Sequence, residues 1–436
     1  MKFEADYELS GVAGKSVEKG SAGFDLSKAG LSILPAGAQP IVLPWEEAYT
    51  MSFRDYGARI GLRAGAVLAV GALGYKFEDF ARNAARLRNE KLIALSLAEE
   101  PLKKSMIEAE LSYTGAAGNF KENCELRIYE TSLIALPETR SFLRLPLRWI
   151  KEIKSGDYTI EIVSETGETW RLAGLGRKYD HFLDSLRGQM SELDAFVQKA
   201  LGAALAGSDP LVIRALAAVL REGRLVSFSD IERIMPGAVA KLEKRVCSNK
   251  IDAGEYLFLK TISIPSDAAF GLKKGLMGSG DHYIFVFRTG KSGRVAAVES
   301  FLLEPDAGAA GADKKATYFY RLPGGGAGSW NDFLGFFNRA MTAVNFRRMP
   351  VLLSEERMAD PKYALYAGAV ERVPELKTLR GLYAGRAIHA EYEKWAADSS
   401  AIIQFISDNA SPGLRWEKSG SDEESEEEGA AAVKEV

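Results

Sequence analysis

The chain has 436 residues, 47% of them hydrophobic and 26% charged, with a formal net charge of −3. The length is too great for one ordinary core and suggests two to four domains, and the composition excludes a wholly disordered or fibrous chain. Only Cys124 and Cys247 are present, far apart, which excludes a disulfide framework and a thiolate metal site and leaves two reduced thiols as the expectation. Residues 1–9 alternate charged and apolar side chains without the apolar run of a signal peptide. The longest apolar-rich stretch nearby, residues 64–75, falls well short of the ~18 residues a membrane span requires, so a cytoplasmic protein is expected.

Taken in chain order, the first two hundred residues are one pattern written twice. Leu34-Pro35 recurs as Leu136-Pro137, Leu43-Pro44 as Leu145-Pro146, Asp55-Tyr56 as Asp157-Tyr158 and Gly65 as Gly167, all at an offset of 102. The run from Leu73 to Phe80 returns from Leu175 to Phe182, and a two-residue gap extends the match to Phe3-Glu4-Ala5-Asp6 against Ile107-Glu108-Ala109-Glu110. In the second copy, alternating or β-branched segments at 109–113, 125–129, 132–136, 142–146, 149–154, 158–164 and 169–172 predict seven strands. Residues 178–200 then place Tyr179, Phe182, Leu183, Leu186, Met190, Leu193 and Phe196 at steps of three and four, which predicts a helix with one apolar stripe. The first copy ends in a matching helix near 76–97. Gly74 and Gly176 are expected where the chain turns into that helix, and the Asp-Tyr pairs at hairpin tips.

Seven antiparallel strands closed by a C-terminal helix resemble the pleckstrin-homology-like (PH-like) domain, and residues 1–100 and 101–205 each carry that plan. The resemblance implies a binding module without catalysis, since members of this superfold take phosphoinositides, peptides, other proteins or histones. The loop joining the first two strands holds Lys15 and Lys19 against Glu18 in one copy and Lys121 against Glu122 in the other. That is weak support for a phosphoinositide site.

From residue 206 the pattern changes. Ser208-Asp209-Pro210 starts a helix that Gly223 stops; Ser229 and Glu232 have capping-box spacing before a second helix ended by Pro236-Gly237; residues 238–247 make a third. This three-helix segment, 206–250, has the order of a winged helix, but its excess of bases is slight and a helical connector is the expectation. An α+β C-terminal domain, 251–410, follows, with strands predicted at 256–262, 283–288, 295–303 and 316–322. A helix over 331–346 leads into an extended run at 346–353, and a long helix from about Pro374 carries Tyr383, Arg386, His389 and Glu393 close to one face. Residues 411–436 are a disordered acidic tail: from Ser419 to Val436 seven acids face the single base Lys434, which leaves the rest of the chain at +3. The fold class is therefore α+β, with two tandem PH-like barrels, a helical segment, an α+β domain and a tail.

No constellation in the sequence demands catalysis. Gly290-Lys291-Ser292 ends like a phosphate loop, but Phe285 stands where its first glycine belongs, and Gly324 to Gly328 lacks the lysine. Only His181, His282 and His389 exist, and HExxH, GxSxG and CxxC are absent. No metal site and no cofactor are expected. If any surface recognises an anionic group or a partner, Arg347, Arg348, Arg386 and His389 are the candidates. The leading expectation is a non-catalytic protein-binding or scaffold protein. The alternative is binding to an anionic surface, membrane lipid or nucleic acid, with a histone-chaperone-like role as a variant. An enzyme with its site around Arg386 and His389 comes third.

Overall fold

The computed structural model describes residues 1–416 apart from 12–13, 38, 63–64, 97, 99, 249, 276–280, 291–292, 303–315, 323–326, 390 and 410. The expected acidic run beyond 416, most of the Gly324–Gly328 loop, and Lys291 and Ser292 lie outside the described residues. The chain forms two compact units, residues 1–189 with 361–369, and residues 190–360 with 370–436.

In the first unit, strands β1 (Lys2–Ser10), β2 (Ser16–Leu26), β3 (Gly30–Pro35), β4 (Ile41–Pro44), β5 (Ala48–Arg54), β6 (Gly57–Leu62) and β7 (Val67–Gly71) precede helix α1 (Phe77–Leu95). The second copy repeats them as β8 (Leu102–Gly115), β9 (Gly118–Tyr129), β10 (Ser132–Pro137), β11 (Leu143–Pro146), β12 (Ile150–Gly156), β13 (Thr159–Ser164) and β14 (Thr169–Ala173) before α2 (Tyr179–Ala204). Both sheets are antiparallel and have the same order, β4-β3-β2-β1-β7-β6-β5 and β11-β10-β9-β8-β14-β13-β12. One irregularity repeats as well: the register slips between Ala48 and Thr50 and again between Ile150 and Glu152. Gly74 and Gly176 take φ of 55° and 52° immediately before the two helices, a conformation costly for any residue with a Cβ. At both hairpin tips the Asp-Tyr pair sits in the left-handed region, Asp55 and Tyr56 at 51° and 57° and Asp157 and Tyr158 at 48° and 55°, the geometry of a type I′ turn.

Alternation along the strands buries Phe3, Ala5, Phe24, Ile33, Ile60 and Leu68 on one face, where Phe80 and Ala84 of α1 join them. The duplicated core is redistributed rather than copied. Buried Trp45 corresponds to buried Leu147, while buried Leu68 corresponds to buried Trp170. Each core thus encloses a tryptophan, but at a different position, a redistribution of volume that close packing tolerates.

The repeats are joined by buried polar bonds. Arg88 donates to the carbonyls of Ala48 and Tyr49 at 2.9 and 2.6 Å and to Ser141 Oγ at 2.9 Å. Asn89 bonds Arg140 O and Phe142 N. Glu100 accepts from Thr131 N, Thr131 Oγ1 and Arg144 Nη2 at 2.7, 2.8 and 2.6 Å. Burial pushes the Glu100 carboxyl upward, but Arg144 and the Thr131 bonds more than offset this and hold it below its usual range.

The second unit takes α2 from Met190 onward. It then runs through α3 (Pro210–Leu220), β15 (Val226–Ser227), α4 (Phe228–Ile234), α5 (Ala238–Val246), α6 (Lys250–Thr261), β16 (Ser263–Lys273), β17 (His282–Thr289), β18 (Val295–Leu302), β19 (Ala316–Arg321), α7 (Ala327–Ala343), α8 (Met349–Leu352) and α9 (Glu355–Met358). After α10 (Ala364–Arg372) come α11 (Pro374–Leu382), β20 (Tyr383–Ile388) and α12 (Tyr392–Asp408). Strands β15 to β20 pair consecutively into one antiparallel sheet. One face buries Phe270, Phe285, Phe287, Phe301 and Phe319 against Leu216, Tyr256, Trp395 and Ile402. The residues expected to form a separate helical segment thus share this core.

Several expectations are corrected. Residues 256–262 are not a strand: Tyr256 and Leu259 are both fully buried at helical spacing in α6, and a short apolar run does not distinguish the two periods. The cap of α4 is Ser227, whose Oγ accepts from Asp230 N, rather than Ser229. The helix expected from Pro374 ends at Leu382, and Tyr383, Arg386 and their neighbours form strand β20. The extended run at 346–353 is a helix cap followed by α8. No helix among the described residues is long and apolar enough to cross a membrane.

Candidate functional site

The second face of the third sheet carries a cavity of about 300 Å³. Strand alternation decides what it receives. Phe270, Leu272, Tyr283, Phe285, Ala297 and Phe301 point to the helical core, so the intervening Lys273, His282, Ile284, Val298 and Ser300 fall on the opposite side. All five line the cavity, with Tyr318 and Tyr320 of β19, Phe337 and Met341 of α7, and Asn345, Phe346, Arg347 and Arg348. The walls combine aromatic and aliphatic side chains with the basic Lys273, Lys274, Arg347 and Arg348.

The arginine pair is placed by the way α7 ends. Phe346 N bonds Met341 O at 2.7 Å and Asn345 N bonds Thr342 O at 3.1 Å, the paired bonds of a Schellman cap. The cap requires left-handed backbone, and both residues that supply it are non-glycine, Asn345 at φ 50° and Phe346 at 60°. Two arginines follow directly. Their segment is braced from behind: Arg415 donates to the carbonyls of Leu352, Leu353 and Val351, and Arg380 to Pro350 O at 2.6 Å and Glu355 Oε1 at 2.5 Å. Asn338 fixes α7 itself through paired bonds to Leu225 N and O, 2.9 and 3.0 Å.

Among the lining residues, Lys273 is held by Glu222 at 2.7 Å and stands 5.8 Å from the Phe346 ring centre. Arg348 lies 5.1 Å over the ring of Tyr318, a cation–π arrangement. Asn345 is 2% exposed, and neither its Oδ1 nor its Nδ2 has a hydrogen-bond partner.

A buried ionic network lies behind the cavity, on the helical face of the sheet. Glu299 lines the cavity floor, but its carboxylate accepts from Thr317 Oγ1 and bonds His389 Nε2 at 3.0 Å. Glu255 of α6 meets His389 Nδ1 on the other side of the ring, and Trp395 Nε1 donates to Thr317 Oγ1 at 2.8 Å. Burial works to lower the His389 pKa, yet the acceptance of its ring N–H groups by the Glu255 and Glu299 carboxylates outweighs it and raises the value to about 9. The imidazole is therefore a cation at neutral pH, clamped between two acids.

The four residues singled out from the sequence thus divide. Arg347 and Arg348 line the cavity. Arg386 is one strand away, its register opposite Tyr318. His389 works through the sheet, touching the cavity only by way of Glu299. Asn345, Lys273, Lys274, Tyr318, Tyr320, Glu255 and Glu299 escaped the sequence reading. Glu299 alone had a local signal, an acid inside the apolar strand Val-Ala-Ala-Val-Glu-Ser-Phe-Leu. No protein-family model matches the chain, and no curated protein resembles it at a significant level.

Proposed function

We propose that this is a non-catalytic binding protein whose C-terminal unit holds a small organic anion in the cavity under α7. The observation that carries the reading is that Lys274, Arg347 and Arg348 line a pocket that also presents Tyr318, Tyr320, Phe337 and Phe346. An anionic head at the cations and an apolar body along the rings would satisfy both. Glu299, which lines the same pocket, is bonded to His389 and Thr317 on the other side of the sheet. Calorimetric titration of the full chain with inorganic phosphate, pyrophosphate and benzoate, over a salt series, tests this. Binding that weakens with salt and is lost in an Arg347→Ala/Arg348→Ala variant supports the reading; no binding, or equal binding by the variant, overturns it.

The tandem repeats, which resemble PH-like domains closed by their helices, serve in this reading as the platform that engages a protein partner. The observation favouring that second role is aromatic exposure repeated at the same hairpin tips, Tyr56 at 72% and Tyr158 at 78%, since exposed aromatics are enriched at interfaces. Affinity capture with the wild type beside a Tyr56→Ser/Tyr158→Ser variant tests it. A partner held equally by both would sink the role of the tips.

A further inference from the structure

We infer that the ligand of the cavity is a mononucleotide, its phosphate at Arg347 and Arg348 and the edge of its base read by Asn345. The inference rests on the anion-binding reading and specifies its ligand. Its starting point is the buried amide. A buried donor or acceptor without a partner is costly, and Asn345 leaves both its Oδ1 and its Nδ2 so. The left-handed backbone at φ 50° explains why a β-branched residue is avoided there. It admits asparagine as well as glycine, but glycine would take that conformation without burying an unpartnered amide.

A carboxamide presents an acceptor and a donor side by side, so its natural complement is a group with donor and acceptor adjoining in one plane, as on the edge of a nucleobase. A fatty carboxylate has no such edge. The neighbouring wall agrees: Phe346, Tyr318 and Tyr320 line the same cavity, and aromatic side chains are the usual stacking partners of a nucleobase. Asn345 and Arg348 are three residues apart, at most about 10 Å along the chain, which suits a base and a phosphate separated by one sugar. At about 300 Å³ the cavity sits at the lower end of the range for ligand pockets, a size that suits one base with its ribose phosphate.

The test is calorimetry on the full chain with AMP, GMP, CMP, UMP, ribose 5-phosphate, inorganic phosphate and decanoate. At least one nucleotide is expected to bind about tenfold or more tighter than ribose 5-phosphate, the share due to the base. An Asn345→Gly variant, compatible with the backbone, is expected to lose base discrimination and keep its affinity for ribose 5-phosphate. If ribose 5-phosphate or decanoate binds as tightly as every nucleotide, the nucleotide inference fails while anion binding stands. If none of the phosphates and carboxylates binds, both fail. The wild-type series decides the matter even where the variant does not fold.

Discussion

Removing the imidazole of His389 is expected to be among the most damaging single changes in the C-terminal unit, and its cost should depend on pH in a defined direction. His389→Ala leaves Glu255 and Glu299 buried, 6% and 0% exposed, without the cation between them. Breaking a buried pair in this way typically costs about 3–5 kcal/mol. The wild-type histidine has a pKa raised to about 9 against about 6.5 when unfolded. The folded state therefore holds more protons than the unfolded state between those values. The histidine's contribution is present in full below pH ~6.5 and is lost as pH rises through about 9. The difference corresponds to on the order of 3 kcal/mol. Urea unfolding followed by tryptophan fluorescence and circular dichroism, on wild type and variant from pH 6 to 10, measures it. Groups that titrate alike in both proteins cancel in the comparison. The gap should be widest near pH 6 and shrink toward pH 10; parallel profiles across that range would refute the clamped-imidazolium account.

Glu100→Gln removes the acid that binds Thr131 and Arg144 across the junction of the two repeats, and is expected to destabilise the first unit by about 3–5 kcal/mol at neutral pH. Because the Glu100 pKa is lowered, its contribution is present above pH ~4.5 and fades as pH falls through the depressed value, so the difference between wild type and variant in acid unfolding should narrow. Gly30→Ala would place a Cβ 2.3 Å from Leu43 O and 2.9 Å from Pro44 Cα; a loss of about 1–3 kcal/mol by urea unfolding is expected, whereas Gly156→Ala, which meets nothing within 4 Å, should be nearly neutral. Cys124 is buried, its thiol pushed up to about 12 by burial first and by nearby acids. A thiol reagent at pH 8 should modify the less buried Cys247 in the native protein and Cys124 only on unfolding; rapid labelling of native Cys124 would contradict the packing of the second sheet.

Much of the first unit was legible in the sequence because its signals are local. Alternation in strands such as Ser132–Pro137 and Thr159–Ser164, a helical stripe after the last strand, and glycines or Asp-Tyr pairs at turns all report on neighbours a few residues away. Writing the pattern twice let each copy check the other. The C-terminal unit was read less well where segments were short and apolar. Tyr256 to Ile262 fits either period, and Tyr383 to His389 contains residues at steps of three that suggested a helical face, although Tyr383–Ile388 adds a strand beside β19. Pairing with a partner 63 or more residues away overrode the local pattern there.

The candidate site shows the same division. Two arginines after an aromatic helix were visible as charge, but charge alone did not say what they faced. The sequence by itself determined the duplication, the strand and helix content of the repeats and the two free thiols, because periodicity, turn residues and residue counts are properties of the chain. Only the tertiary structure decided that Lys273, Tyr318, Asn345 and Arg348 line one cavity, and that His389 stands between Glu255 and Glu299, 134 and 90 residues away along the chain. Those groups come together through sheet register and the cap of α7, and burial then fixes which of them are charged and which lack a partner.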